Sequence, residues 1–418
     1  MSVPDRAAKI EFLQQQAASL LLYQAVLNDE VGRAFLKLLQ TLQDRDILSS
    51  LRVYGVWFKA LIADDCSWRD RLIARILQDD NPLTDRLQRL DVRDLPPALA
   101  EAARQDLQAL QHLSQCSLWI ADCLHRPAPC QIASPPKQTV LHQHDNWADA
   151  LAGLADCYRR QGTGLFARYQ ALRWQDGQLL GIDCPDPVEL DHLVGCDGPK
   201  AALLKNTEFL LAGYRALNIL LYGSRGSGKS SLVKGLLPKY ADRGLRLIEA
   251  TKSELKSLPT LVEQLRSIPQ KFVIFTDDLS FEEDDEAFKA LKVVLEGSVT
   301  ARSQNSVIYA TSNRRHLVRE FFSDRPRPKD GDEVHAWDTM QEKLSFGDRF
   351  GLTLTFEPAN QETYLAIVRH LASQAQIRLN AEELDFRAKQ WATRHNGRSG
   401  RTARQFVDFL KAELEVGS

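Results

Sequence analysis

The sequence predicts an α/β fold: a parallel five-stranded sheet with helices on both faces, an all-α domain before it and a helical lid after it. Three observations carry that prediction. Between Asp191 and about residue 357, short apolar runs alternate with helix patterns, and such alternation builds a parallel sheet covered by helices. Residues 1–126 hold only Gly32 and Gly55 of the 22 glycines and repeat apolar side chains at helical spacing. From 358 to 418 there are helix patterns and no strand pattern. The divisions that follow are an N-terminal helical domain at 1–126, a proline-rich linker at 127–139, a helix and β-hairpin at 140–190, the sheet domain at 191–357 and the lid at 358–418.

Composition narrows the function classes. With 44% hydrophobic and 26% charged residues, the chain resembles an ordinary soluble globular protein. A formal net charge of −2 advertises neither nucleic acid nor a membrane surface, so any charged contact surface is a local patch. No apolar run approaches the roughly 20 residues of a membrane span. Met1-Ser2-Val3-Pro4-Asp5-Arg6 lacks a signal-peptide pattern, so no membrane contact and a cytoplasmic location are expected. The seven cysteines are an odd number without C-x-x-C spacing. Cys116, Cys123 and Cys130 recur every seven residues, near a faint metal hint at His142-Gln143-His144. Buried or incidental thiols in a reducing compartment are the simpler expectation.

Taken in order, the elements begin with Leu20, Val31, Phe35, Leu38, Leu39 and Leu42, at or near helical spacings. Val53, Val56, Trp57, Ala60 and Leu61 repeat the pattern, as do Leu72, Ile73, Ile76 and Leu77. Pro96-Pro97 opens a further helix reaching about His125, because proline's fixed φ suits a first helical position. With 15 basic and 17 acidic residues over 1–126, no basic helix supports DNA binding, and the region reads as a bundle for protein contacts or oligomer packing. Pro127-Ala128-Pro129 to Ser134-Pro135-Pro136 cannot continue a helix. A helical stretch from Trp147 to about Arg160 precedes a hairpin with arms 171–174 and 178–181, joined at Gln175-Asp176-Gly177. Five strands follow at 218–222, 246–250, 272–276, 307–311 and 352–356, short and apolar as buried parallel strands are. The last helices, at about 361–375, 381–395 and 400–415, are separated by Asn380, a capping residue, and Asn396-Gly397, a helix stop.

Asn218-Ile219-Leu220-Leu221-Tyr222 runs into Gly223-Ser224-Arg225-Gly226-Ser227-Gly228-Lys229-Ser230, and a helix pattern resumes at Ser231. Strand, G-x-x-x-x-G-K-S loop and helix are in the register of a phosphate-binding loop. Its glycines let successive N–H groups converge on phosphate oxygens, and the helix adds its dipole. Residues 223–231 are therefore expected around a nucleoside triphosphate, with Lys229 on the β- and γ-phosphates and Ser230 on Mg²⁺.

Phe272-Val273-Ile274-Phe275-Thr276 ends in Asp277-Asp278, and strand C-termini face the ligand in open parallel sheets. Asp277 is expected to hold Mg²⁺ through water, and Asp278 to polarise the attacking water. The later acids fit a helix start instead: Ser280-Phe281-Glu282-Glu283 reads as a capping box, with 282–285 favouring the dipole's positive end. Val307-Ile308-Tyr309-Ala310-Thr311-Ser312-Asn313 brings a neutral amide to the same rim, where it can orient a water beside Asp278. A turn-forming asparagine is the plainer alternative, and the strand context favours the functional one.

In this order the motifs resemble an AAA+ ATPase: the phosphate loop, Asp277-Asp278 as Walker B, Asn313 as sensor 1 and a helical C-terminal lid. Leu190-Asp191-His192-Leu193-Val194-Gly195 resembles the segment that packs on adenine, which implies contacts from Leu193 and Val194. Leu344-Ser345-Phe346-Gly347-Asp348-Arg349-Phe350-Gly351 resembles the S-R-F box, which implies that Arg349 reaches a neighbouring subunit's site. Arg398-Ser399-Gly400-Arg401 resembles sensor 2, a role carried onto Arg401 with Arg404 as the second choice. More narrowly, 203–208, 277–283 and 310–317 resemble a bacterial ATP-binding family filed as a domain of unknown function. That resemblance covers about 150–415. Many AAA+ proteins carry Glu where this chain has Asp278, which implies slow turnover.

The resemblance implies ATP with Mg²⁺, hydrolysis to ADP and phosphate, and a ring-shaped homo-oligomer with a hexamer as the candidate size. It implies conformational work on a macromolecule, with an unknown protein partner assigned to the N-terminal helices. A slow nucleotide-dependent switch or loader is the alternative; a small-molecule kinase would leave Asn313, the S-R-F-like box and the lid unexplained. Two basic stretches, Arg314 to Lys329 and Arg387 to Arg404, could contact nucleic acid. Solvated surface, subunit interface and γ-phosphate sensing account for them better.

Overall fold

The computed structural model describes residues 3–129, 138–281, 286–296, 303–313, 346–395 and 397–416. The chain forms two compact units, Met1–Arg168 and Tyr169–Ser418.

The described part of the first unit is helical: α1 (Val3–Ala18), α2 (Glu30–Gln43), α3 (Ile47–Ala63), α4 (Trp68–Gln78), α5 (Pro82–Leu87), α6 (Pro97–Ser114), α7 (Ser117–Leu124), α8 (Val140–Gln143), α9 (Leu151–Gln161) and α10 (Gly164–Arg168). Asp29, Asp46, Ser67 and Asn81 cap α2 to α5, each accepting a backbone N–H that the helix leaves unpaired. The apolar stripes meet around Phe35, Trp57 and Trp68, with ring centroids 4.5 Å apart for Phe35–Trp68 and 5.5 Å for Trp57–Trp68. Val56, counted on a stripe, is exposed instead. The helix expected from 97 to about 125 breaks between α6 and α7, where Ser114 and Cys116 donate to the carbonyls of Gln111 and Leu113.

The boundary expected at 127–139 lies inside this unit. Leu141, Trp147, Leu151, Leu154 and Tyr158 are buried in the same core as Phe35 and Trp57, so the prolines connect helices of one unit. The division falls after Arg168, and 130–137, with Cys130, lie outside the described residues. Burial pushes the Cys116 thiol up to about 12, as befits an inert core cysteine. His142 has its ring nitrogens on Asp70, at 2.9 Å, and on the Thr139 hydroxyl, at 2.9 Å. Among the described residues no three His, Cys, Asp or Glu side chains are grouped for a metal.

The second unit contains the five parallel strands: β3 (Ile219–Gly223), β4 (Leu245–Ala250), β5 (Lys271–Thr276), β6 (Ser306–Ser312) and β7 (Leu352–Phe356). The hairpin, β1 (Ala171–Gln175) and β2 (Gln178–Ile182), belongs to the same sheet rather than preceding it. β1 pairs in parallel with β4 and β2 closes the edge antiparallel, giving the order β2-β1-β4-β5-β6-β3-β7 among the described residues. Leu172 and Trp174 are the buried alternates of β1, and the Trp174 indole N–H donates to Ser257 Oγ at 2.7 Å.

Helices α11 (Asp197–Leu211), α12 (Lys229–Lys234), α13 (Leu236–Tyr240), α14 (Leu258–Leu265) and α15 (Glu286–Glu296) accompany the sheet. The 203–208 stretch has an architectural use: Asn206 Nδ2 donates to Tyr309 Oη at 3.1 Å and Thr207 Oγ1 lies 3.0 Å from it, pinning α11 to β6. The lid comprises α16 (Gln361–Gln374), α17 (Ala381–Arg394) and α18 (Gly400–Val416), with Asn360 and Asn380 capping the first two. Together with this lid, the sheet gives the α/β fold that the AAA+ resemblance implies. The expectations for 282–285, for 314–345 (the first basic stretch and Leu344-Ser345 among them) and for Asn396 lie outside the described residues. No helix among the described residues is long and apolar enough to cross a membrane.

Candidate functional site

Three strand ends meet at one rim of the sheet. The register sets Tyr222 of β3 opposite Ser312 of β6, and Thr276 of β5 opposite Ala310. The loop after β3, the acids after β5 and Asn313 after β6 therefore converge, at the carboxyl ends where parallel sheets bind ligands. They line a cleft of about 630 Å³. Ser224 to Ser231, Leu193, Val194, Asp277, Asp278, Asn313 and Arg401 all line it. Gly223 is not among the lining residues. It forms the exit from β3, at φ +152°, where an added Cβ would lie 2.2 Å from the Phe356 carbonyl oxygen.

Lys229 is 6% exposed, and its ammonium donates to the carbonyls of Gly223 and Ser224, each at 2.8 Å, and to Asn313 Oδ1 at 3.2 Å. Burial pulls this ammonium below the usual lysine range; Asp277 and Asp278 oppose that shift and Arg401 adds to it. Asn313 Nδ2 donates in turn to Asp278 Oδ1 at 2.6 Å. A single amide thus joins the lysine that would meet phosphate to the carboxylate that would meet water.

Ser230 Oγ donates to Asp277 Oδ1 at 2.6 Å. A hydroxyl and a carboxylate side by side are the hard oxygen donors Mg²⁺ takes, alongside phosphate oxygens and water, so the residues fit that ion. Among the described residues the Ser227 hydroxyl, buried in the cleft wall, has no hydrogen-bond partner, which leaves a donor for a phosphate oxygen.

The lid reaches the loop directly. A Cβ on Gly226, at φ +74°, would lie 2.9 Å from Ser399 Oγ, so the start of α18 abuts the phosphate loop. Arg401 and Arg404 both line the cleft, as does Arg398, which donates to Gln361 Oε1 at 3.0 Å. Thr363 and Ile367 of α16 also line the cleft, and Thr363 Cγ2 would lie 2.6 Å from a Cβ on Gly195, next to Val194. Sequence reasoning missed these two, since the helix pattern marks them only as lid. It also missed Thr311, whose hydroxyl donates to Asp277 and accepts the Asp278 N–H. The signals available for Thr311 were its place two residues before Asn313 and inside the 310–317 stretch that carries the family resemblance.

Arg349 is not among the residues that line the cleft. It ends a 3₁₀ turn (Phe346–Arg349) before β7, with its guanidinium paired to Glu296 at the end of α15.

The profile of the family described as protein of unknown function DUF815 matches residues 167–414. Among solved structures, the Holliday junction branch migration motor RuvB of Thermotoga maritima is similar with a TM-score of 0.37 and 14% identity, over 55% of this chain and 66% of that one. AMPPCP-bound DnaA from Aquifex aeolicus is similar with a TM-score of 0.36 and 18% identity, over 55% of this chain and 67% of that one. The chain thus spans 66% of the length of the first of these. No curated protein matches the chain.

Proposed function

Because the chain belongs to the DUF815 family, whose matched residues 167–414 contain every element of the cleft, we propose that it is an Mg²⁺-dependent AAA+ ATPase. It would hydrolyse ATP to ADP and phosphate and couple that reaction to conformational work on a macromolecular partner. The observation that carries the reading is the hydrogen-bonded run Lys229–Asn313–Asp278, set beside the Ser230–Asp277 pair in one cleft.

Bound ATP places its β- and γ-phosphates against Lys229 and the loop N–H groups, with the base between Leu193, Val194 and α16. Ser230 and Asp277 would hold Mg²⁺, which would supply neutralisation of phosphate charge. Asp278 accepts a proton from the attacking water as the new P–O bond forms, and the bond to the bridging oxygen of ADP breaks. Asn313 keeps that water and Asp278 in line, and Arg401 meets the γ-phosphate from the lid. Arg349 acts on a neighbouring copy, in a homo-oligomeric ring. A protein partner is assigned to the N-terminal helices, where Ile47, Leu48 and Val56 stand exposed.

A slow switch is the second reading, favoured by the short Asp278 carboxylate being already engaged by Asn313 at 2.6 Å. Titration of ATP into variants tests the core of the proposal. Lys229→Ala is expected to lose most ATP affinity, because a compact charge on the phosphates is removed. Asp278→Asn is expected to keep affinity and lose about 10²–10⁴-fold in turnover. Equal loss of binding in both variants would make Asp278 a metal ligand or structural acid instead.

A further inference from the structure

We infer that Thr311 is a positioning residue for this reaction: its hydroxyl sets the direction of both carboxylates of the Asp277-Asp278 pair, and with them Mg²⁺ affinity and turnover. The inference rests on the ATPase reading.

Thr311 is 1% exposed, next to the rim end of β6. A hydroxyl has one proton to give and lone pairs that accept, and here both capacities go to the turn after β5. Oγ1 donates to Asp277 Oδ1 and accepts the Asp278 N–H at 2.9 Å. The Asp278 N–H also reaches Asp277 Oδ1 at 3.1 Å, which closes a ring of three hydrogen bonds. The backbone repeats the clamp: Leu279 N–H donates to the Thr311 carbonyl at 2.7 Å, and Ser312 Oγ donates to the Leu279 carbonyl at 2.9 Å.

Two consequences follow for the acids. Asp277 Oδ1 accepts from Ser230, Thr311 and the Asp278 N–H, whereas Oδ2 has no donor among the described residues. The carboxylate is held in one orientation, with its second oxygen left for a cation or its water. Asp278 is turned into the left-handed region, at φ +52°, where its side chain meets Asn313. Aspartate enters that region more readily than most residues, because its short polar side chain bonds locally. The clamp thus supplies a physical reason for the shorter acid at 278.

Packing alone would also keep a buried threonine, so the test isolates the hydroxyl. The full-length chain is titrated with ATP in EDTA and again in Mg²⁺, and kcat and KM are measured separately. Thr311→Val, the same shape without the hydroxyl, is expected to bind ATP normally in EDTA. It should lose about 10-fold or more of the gain in affinity from Mg²⁺, with kcat down about 10–100-fold, the range for groups that orient metal ligands. Thr311→Ser, which keeps only the hydroxyl, should restore both. If Thr311→Val does not fold, Thr311→Ala replaces it, since Ala and Ser differ there by the hydroxyl alone. A valine or alanine variant equal to wild type overturns the inference, and so does a serine variant impaired as deeply as they are. Failure of the underlying reading has its own signature: the wild-type chain would then neither bind nor hydrolyse ATP in Mg²⁺.

Discussion

The two units bury polar groups at similar depth and to opposite ends. In the helical unit Asp106, 1% exposed, accepts the N–H groups of Leu21, Leu22 and Tyr23. The Tyr23 and Tyr158 hydroxyls lie 3.1 Å apart, and Tyr158 donates to the Ile76 carbonyl at 2.9 Å. These bonds run from one part of the unit to another. In the α/β unit Lys229 and Thr311 are as deeply buried, but their bonds lead outward to Asp277, Asp278 and Asn313 at an open cleft. Desolvating a polar group is costly in either place unless it is paired. A closed network stabilises a fold, whereas one with unused capacity at its rim waits for a ligand.

Arg349 is where that contrast is most open to being broken. It belongs to the α/β unit, yet its guanidinium is closed on Glu296 in the manner of the helical unit. If the pair is only local, Arg349→Ala changes stability by about 1 kcal/mol at most and leaves ATPase activity alone. A trans-acting arginine stabilises charge on the transferred phosphoryl group and is worth roughly 10³–10⁵ in rate. Arg349→Ala is expected to keep ATP binding and to lose hydrolysis on that scale. Mixing it with the Asp278→Asn chain should recover part of the activity, since some interfaces then join an intact site to an intact arginine. Co-assembled mixtures as inactive as their components would remove the trans role.

The same contrast sorts what the sequence made legible. The phosphate loop, the strand ends carrying Asp277-Asp278 and Asn313, and the caps at Asn360 and Asn380 are local patterns, visible because backbone conformation and chemistry there depend on neighbours in the chain. The hairpin at 171–182 is equally visible as strands, but its pairing with β4 joins Leu172 to Ile248, and no turn signal announces such a contact. The prolines at 127–136 mislead as a boundary for the same reason. They break a helix locally, but Trp147 and Tyr158 return to the core of Phe35, which only packing can reveal. Thr311 is illegible because a threonine in a strand needs no special explanation. Its meaning comes from Asp277, which lies 34 residues earlier.

The closed network of the helical unit can be opened by Asp106→Leu. The variant leaves the N–H groups of Leu21, Leu22 and Tyr23 without their acceptor. The Tyr23 group is buried, and a buried unpaired group costs about 1–3 kcal/mol, whereas Leu21 is exposed and its N–H can turn to water. A loss of about 2 kcal/mol is expected in urea denaturation, confined to the helical unit's transition, with ATP affinity unchanged. A loss under about 1 kcal/mol would mean that water replaces the carboxylate easily and that the network is not closed.

The smallest effect concerns Asp29, which joins the cap of α2 to α4. It accepts Gly32 N–H at 2.7 Å and faces Arg71 at 2.6 Å and Arg75 at 3.7 Å. Burial by itself would raise this carboxyl; the hydrogen bonds from Arg71 and Gly32 and the two guanidinium charges outweigh it and hold the group below the usual carboxylate range. A carboxylate whose folded-state value is depressed contributes stability that is fully present above its unfolded value, near 3.8, and is lost as pH falls through the folded one. Asp29→Asn keeps a capping oxygen and removes only the charge. With both partners under a third exposed, the expected loss at neutral pH is about 1 kcal/mol, shrinking as the pH is lowered until variant and wild type converge. Urea midpoints measured from pH 7 down to about pH 2, past the depressed folded value, read this directly. Parallel curves with a constant gap would assign the loss to the cap rather than to the arginines, and identical curves would leave the Asp29–Arg71 pair without a role in stability.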